Sequence, residues 1–179
     1  NDFAEAARAF EKARALDPTG STEILFGYAD ALVVAGRHDE ALALAERMTV
    51  LMHEAQGVGL AATQVGVLRR LFVFSDEGED RVLVNPVITK RSSETGVDDE
   101  GCLSLREVLV PVERACTVTI EGLDESGEPV AYELALPSSR IVQHELDHLD
   151  GVLIIDRTDD DSRRAALAKL RPQPVLGAR

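Results

Sequence analysis

Only two cysteines occur in this chain of 179 residues, too few for the disulfide framework on which small secreted domains depend. With no signal peptide and no long apolar run, the sequence argues against membrane insertion and for a reducing cytoplasm. Basic residues are also scarce, 19 against 32 acidic ones, and the resulting net charge of −13 excludes nucleic-acid binding through a broad basic face. An initiator methionine is missing, as in a fragment or a processed product. What is present, 45% hydrophobic and 28% charged residues, suffices for one proper core and a small appendage.

The richest stretch chemically is Gln143-His144-Glu145-Leu146-Asp147-His148. One helical turn stacks positions i and i+4, so His144 and His148 can direct ring nitrogens at one cation. Glu145 then lies beside any water the cation holds, the arrangement of metal-assisted hydrolysis. A catalytic divalent ion usually takes three protein ligands. Downstream of His148 there is no Glu and no His, only Asp156 and Asp159-Asp160-Asp161, which read as a solvated helix start. Upstream, Glu100-Gly101-Cys102-Leu103-Ser104 offers a cysteine in a short turn, and a thiolate with two imidazoles suits Zn(II) or Fe(II). Cys116 differs. In Cys116-Thr117-Val118-Thr119-Ile120 apolar residues alternate with threonine, so it reads as a small core residue of a half-buried strand, unpaired with Cys102.

Gly57-Val58-Gly59-Leu60-Ala61-Ala62-Thr63-Gln64, the Cys102 motif and the His144 motif together, in order and spacing, resemble the three motifs of peptide deformylases. The similarity runs over about residues 45–174. It implies that Cys102, His144 and His148 ligate the metal and that Glu145 is the general acid and base. It also implies that Gln64 and the Leu103 backbone amide stabilise the oxyanion of a formamide under hydrolysis. Fe(II) is the implied ion, with Zn(II), Ni(II) or Co(II) able to substitute. The implied substrates are nascent formyl-methionyl peptides, met at the ribosome, which a C-terminal helix bearing Arg163, Arg164, Lys169 and Arg171 could approach. The same charges, behind three aspartates, are also what a helix dipole prefers. The backbone near Gly59 is expected to run extended beside the substrate, and Val58, Ile141 and the stem of Arg140 to line the pocket for its first side chain.

Periodicity gives helices at 2–16, 22–35 and 38–56 and strands at 71–74, 81–83, 109–112, 115–121 and 130–136. Residues 92–99 read as a polar loop, and the site helix runs from Pro137-Ser138-Ser139 to Gly151. The expected fold is α+β, a mixed sheet around a central metal-binding helix, preceded by a helical hairpin.

The start departs from the family's pattern: its usual extended opening segment is missing, which could leave a sheet edge open. Residues 3–13 echo residues 38–48 at an offset of 35, with Asp17-Pro18 at the break, and this resembles tetratricopeptide repeats. Residues 1–45 are thus expected to be a repeat-like segment, its last helix leading into a catalytic domain of residues 46–179. About one and a half repeats is too few for a binding superhelix, though a protein partner for these helices is one reading. A second departure is Leu105-Arg106 where many deformylases have proline after the motif's serine. Two competing functions stay open: a zinc peptidase using H-E-x-x-H, and a binding protein acting through the repeat-like segment.

Overall fold

The computed structural model describes residues 38–171. The helices expected at 2–16 and 22–35, and most of the repeat-like echo, lie outside the described residues. Along the described chain run α1 (His38–Glu54), β1 (Gly59–Ala61), a 3-10 turn (Ala62–Val65), β2 (Leu71–Asp76), β3 (Glu79–Arg91), β4 (Thr95–Cys102) and β5 (Leu105–Ala115). Then follow β6 (Thr117–Leu123), β7 (Pro129–Ala135), α2 (Ser138–Leu149), α3 (Ile154–Arg157) and α4 (Asp160–Leu170). α1 crosses residues 45 and 46 without a break.

Five strands form one sheet in the order β1-β2-β3-β6-β7, and β4 pairs with β5 in a separate hairpin. Every pairing is antiparallel, which corrects the expected mixed sheet. Even β3 and β6, which are joined through the intervening β4–β5 hairpin, run in opposite directions. The main sheet is covered on both faces. Phe72 and Phe74 point with Leu83, Ile120 and Val142 into the core beneath α2, whereas Leu71 and Val73 meet Ala45, Met48 and Met52 of α1. This two-sided burial is why 71–74 is an unbroken apolar run rather than an alternating one. A third cluster joins Val108, Val110 and Val112 of β5 to Ile154, Ile155 and Ala166.

Three elements differ from expectation. Residues 95–102 are a strand, although 92–99 read as a loop: its acidic, glycine-containing sequence has little strand propensity, and pairing with β5 from Thr95↔Ala115 to Gly101↔Leu109 overrides it. β3 continues past Asn85-Pro86 to Arg91, because register shifts between Val84 and Val87 and between Ile88 and Lys90 absorb the interruption. Cys116 lies at the bend between β5 and β6, half-buried rather than in the core. Its carbonyl accepts from Ser139 Oγ at 2.9 Å, and both cysteines are free thiols.

α2 is buried on nearly its whole circumference, Val142, Gln143, Glu145, Leu146, Asp147, His148 and Leu149 among its buried residues. Gln143 fastens it to the end of β5: its amide donates to Ala115 O at 3.1 Å and its carbonyl accepts from Ala115 N at 3.2 Å. At the C-terminal end of the described chain, Asp159 caps α4 by accepting from the backbone N–H groups of Asp161 and Ser162, both at 2.9 Å. Among the described residues no helix is long and apolar enough to cross a membrane.

Candidate active site

The turn between β4 and β5 hangs Cys102 over the middle of α2. Cys102 pairs with Leu105 after a register shift, so Leu103 and Ser104 form the tip. Helical spacing sets His144 and His148 edge to face, ring centroids 4.8 Å apart. Cys102 Sγ lies 3.2 Å from His148 Nε2, which lies 3.1 Å from His144 Nε2. Donor atoms of all three residues fall within 4.8 Å of one another. Two nitrogens on a tetrahedral centre at about 2.05 Å would be about 3.3 Å apart, and sulfur at about 2.3 Å would sit about 3.6 Å from nitrogen. The Cys102–His148 and His148–His144 separations are thus within a few tenths of an ångström of what such an ion needs.

The surroundings prepare these groups as ligands. His144 Nδ1 lies 3.0 Å from Glu100 Oε2, so the carboxylate holds a proton on Nδ1 and leaves Nε2 with its lone pair turned inward. Burial alone would raise the Cys102 thiol, but hydrogen bonds from His144 and His148 outweigh it and bring it down to about 5, favouring thiolate. Against the effect of burial, Cys102 and Glu100 raise His144 to about 10, so a cation binding here would displace a proton from Nε2. Glu100, despite its burial, is drawn down to about 2 by His144, Arg114 and Arg140.

Glu145 occupies a different environment. Burial lifts its carboxyl to about 7, opposed by His144 and His148. Its Oε2 is inaccessible and has no hydrogen-bond partner. An unpaired buried carboxylate oxygen costs stability and marks a functional position. Opposite it, Gly59 comes so close that an added Cβ would lie 2.4 Å from Glu145 Oε1. Gln64 reaches the site from the 3-10 turn: Nε2 donates to Ser104 Oγ at 3.0 Å and approaches Cys102 Sγ at 3.7 Å, while Oε1 accepts from Ala61 N at 2.9 Å.

These groups open onto a cavity of about 460 Å³ lined by Val58, Gly59, Gln64, Cys102, Leu103, Arg140, Ile141, His144 and Glu145. Arg140 contributes through its stem. Its guanidinium is occupied with Glu100 Oε1, Val112 O and Gly96 O, each at 2.8 Å. Leu105, Val108 and Leu109 of β5 also line the cavity and were not anticipated from the sequence. β1, the first strand in the sheet order, forms one wall through Gly59. Three further residues escaped the sequence reading: Glu100 as the acceptor for His144, and Arg114 and Asp147 behind it. Glu100 stands two residues from Cys102, and metal-bound histidines usually have a carboxylate partner; nothing local marks Arg114.

Comparison with known proteins agrees with this geometry. Residues 19–164 match the family model described as polypeptide deformylase, beginning within the stretch read as repeat-like. The chain is 46% identical over 138 residues to peptide deformylase 1 of Corynebacterium efficiens, covering 74% of this chain and 82% of that protein. It resembles the crystal structure of peptide deformylase from Thermus thermophilus with a TM-score of 0.67 and 43% identity, over 71% of this chain and 77% of that one. A peptide deformylase structure from Legionella pneumophila gives a TM-score of 0.69 at 36% identity, over 73% and 79% of the two chains.

Proposed function

Because this chain belongs to the polypeptide deformylase family and removes the formyl group from N-terminal methionine, we propose that Cys102, His144 and His148 hold its divalent ion and that Glu145 moves the protons. The observation that carries this reading is the convergence of one thiol and two imidazole nitrogens beside a buried carboxylate whose Oε2 has no partner. The bound ion supplies Lewis acidity, lowering the pKa of a water and polarising the formyl carbonyl. Glu145 takes the proton from the attacking water and delivers it to the leaving amine as the C–N bond breaks, giving formate and a free α-amino group. Gln64 Nε2 and the Leu103 amide receive the negative charge that gathers on the former carbonyl oxygen. The peptide lies along β1 in strand-like fashion, its first side chain against Val58, Ile141 and the stem of Arg140.

Fe(II) is our choice of native ion, with Zn(II), Ni(II) or Co(II) able to replace it. The donor set by itself accepts zinc at least as well. A thiolate-ligated Fe(II) needs a reducing compartment, which agrees with assigning the activity to the cytoplasm, on chains emerging from the ribosome. For residues 1–45 the 35-residue echo supports a tetratricopeptide-like hairpin, a place for a protein partner, ahead of a catalytic domain of residues 46–179.

Protein loaded anaerobically with Fe(II) is expected to release formate from a formyl-methionyl peptide. Its Cys102→Ala variant is expected to lose tight metal binding. A variant that kept its ion as firmly as the parent would return the peptidase alternative using only H-E-x-x-H. For Gln64→Ala, which removes one oxyanion donor, kcat should fall about a hundredfold with KM little changed. Steady-state kinetics check this, and an effect confined to KM would assign Gln64 to ground-state binding.

A further inference from the structure

The charged residues behind His144 continue to the protein surface, and the outermost one takes no part in the chemistry above. Glu100, which accepts from His144 Nδ1 at 3.0 Å, is held by Arg114 Nε and Nη2, each at 2.9 Å. Arg114 Nη1 turns the other way and donates to Asp147 Oδ2 at 2.6 Å. Asp147 in turn accepts from Arg157 Nε at 3.0 Å and from Arg157 Nη2 at 2.5 Å. The side chains of Glu100 and Arg114 are each 5% exposed and that of Asp147 10%, whereas that of Arg157 is 48% exposed. Charges of alternating sign thus run from solvent to the imidazole, each joined to the next by a charge-assisted hydrogen bond.

Removing Arg157 takes away two of the three side-chain hydrogen bonds at Asp147. Asp147 then depends on Arg114 alone and draws it from Glu100, loosening the acceptor that orients the His144 ring. Arg140 still anchors Glu100 Oε1 at 2.8 Å, so the orientation is weakened rather than lost. We propose that Arg157 is a positioning residue for the metal centre, acting through Asp147, Arg114 and Glu100 on His144, and that it sets how long the site retains its ion. This rests on the reading of Cys102, His144 and His148 as the ligands.

A merely structural role would have Arg157 fasten α3 to α2. Arg163 separates the two cases, because its Nη2 ties α4 to Asp156 of α3 at 3.1 Å and has no hydrogen bond to Asp147. The full chain is loaded with Co(II), and release into excess EDTA is followed well below the thermal midpoint, with the cobalt visible absorption as a second readout. Arg157→Ala should release the ion about tenfold faster and alter the absorption band, since partners of metal-bound histidines are worth roughly 10- to 100-fold in affinity and this one acts at a further remove. Arg157→Lys should fall between, supplying charge without the fork, and Arg163→Ala should match the wild type. Release from Arg157→Ala within about twofold of wild type, or equal acceleration by Arg163→Ala, overturns the proposal. Wild type that takes up no Co(II), or Cys102→Ala that takes it up unchanged, overturns the ligand reading and this inference with it.

Discussion

Glu145→Gln is expected to reduce kcat for deformylation by about a thousandfold while the protein keeps one divalent ion per chain. General acid and base groups typically contribute roughly 10²- to 10⁴-fold, and the middle of that range is expected for a residue proposed to serve both half-reactions. Glutamine has nearly the shape of glutamate, so the space facing Gly59 stays filled, but an amide can neither take the proton from water nor hand it to an amine. The thermal midpoint should hold, because Glu145 Oε2 has no hydrogen-bond partner to lose. That combination, activity lost with stability retained, is the mark of a residue kept for chemistry at some cost to the fold. Metal content by elemental analysis, thermal unfolding and steady-state kinetics on one preparation test it. A Glu145→Gln enzyme retaining more than about a tenth of wild-type kcat would remove Glu145 from the proton path.

Gly59→Ala should be nearly as damaging, although it changes no group that takes part in the reaction. An added Cβ would meet Glu145 at 2.4 Å from Oε1, 2.8 Å from Cδ and 2.9 Å from Cγ, all inside contact distance. Glu145 is buried beside the cavity it lines, so either its carboxylate is displaced or β1 moves outward. The first misplaces the carboxylate we propose as proton carrier, and the second the strand we propose flanks the substrate. Displacements near 1 Å at a reacting centre cost on the order of a hundredfold, and kcat/KM should fall by about that factor. Overpacking typically costs about 1–3 kcal/mol of stability, which should leave a folded protein. A double-mutant cycle isolates the cause. In a Glu145→Ala background the atoms that collide are gone, so Gly59→Ala should produce little further loss. If the two losses multiplied instead, Gly59 would act through the β1 backbone alone.

Both predictions join motifs far apart in the chain, and they show where local reading stops. The donor set of Cys102, His144 and His148 was legible because two ligands share one helical turn and the third sits in a short turn with the resemblance to guide it. Helix α1 was legible from its register, Ala45, Met48 and Met52 falling on one face, and α4 from its acidic start and basic end. Strand β2 was visible as a compact apolar run. Strand β4 was not, since Asp98, Asp99 and Gly101 carry no strand signal and only β5 imposes the conformation. β3 was read too short for a related reason: Asn85 and Pro86 look like a terminus until a bulge accommodates them.

By itself, then, the sequence determined which residues could bind metal and transfer protons, because those abilities reside in side-chain chemistry and in spacings of a few residues. It also determined the family, through three motifs whose order and separation chance does not reproduce. Tertiary structure alone decided what surrounds those groups. It brought Gly59 against Glu145 across 86 positions of chain, committed the Arg140 guanidinium to Glu100 and two carbonyls, and linked Arg157 through Asp147 and Arg114 to the acceptor of His144. The physical reason is that burial and charge pairing depend on which distant strands and helices meet. β5 carries Arg114 onto the buried side of the hairpin beside Val110 and Val112, where a cation persists only because two carboxylates from other elements meet it there.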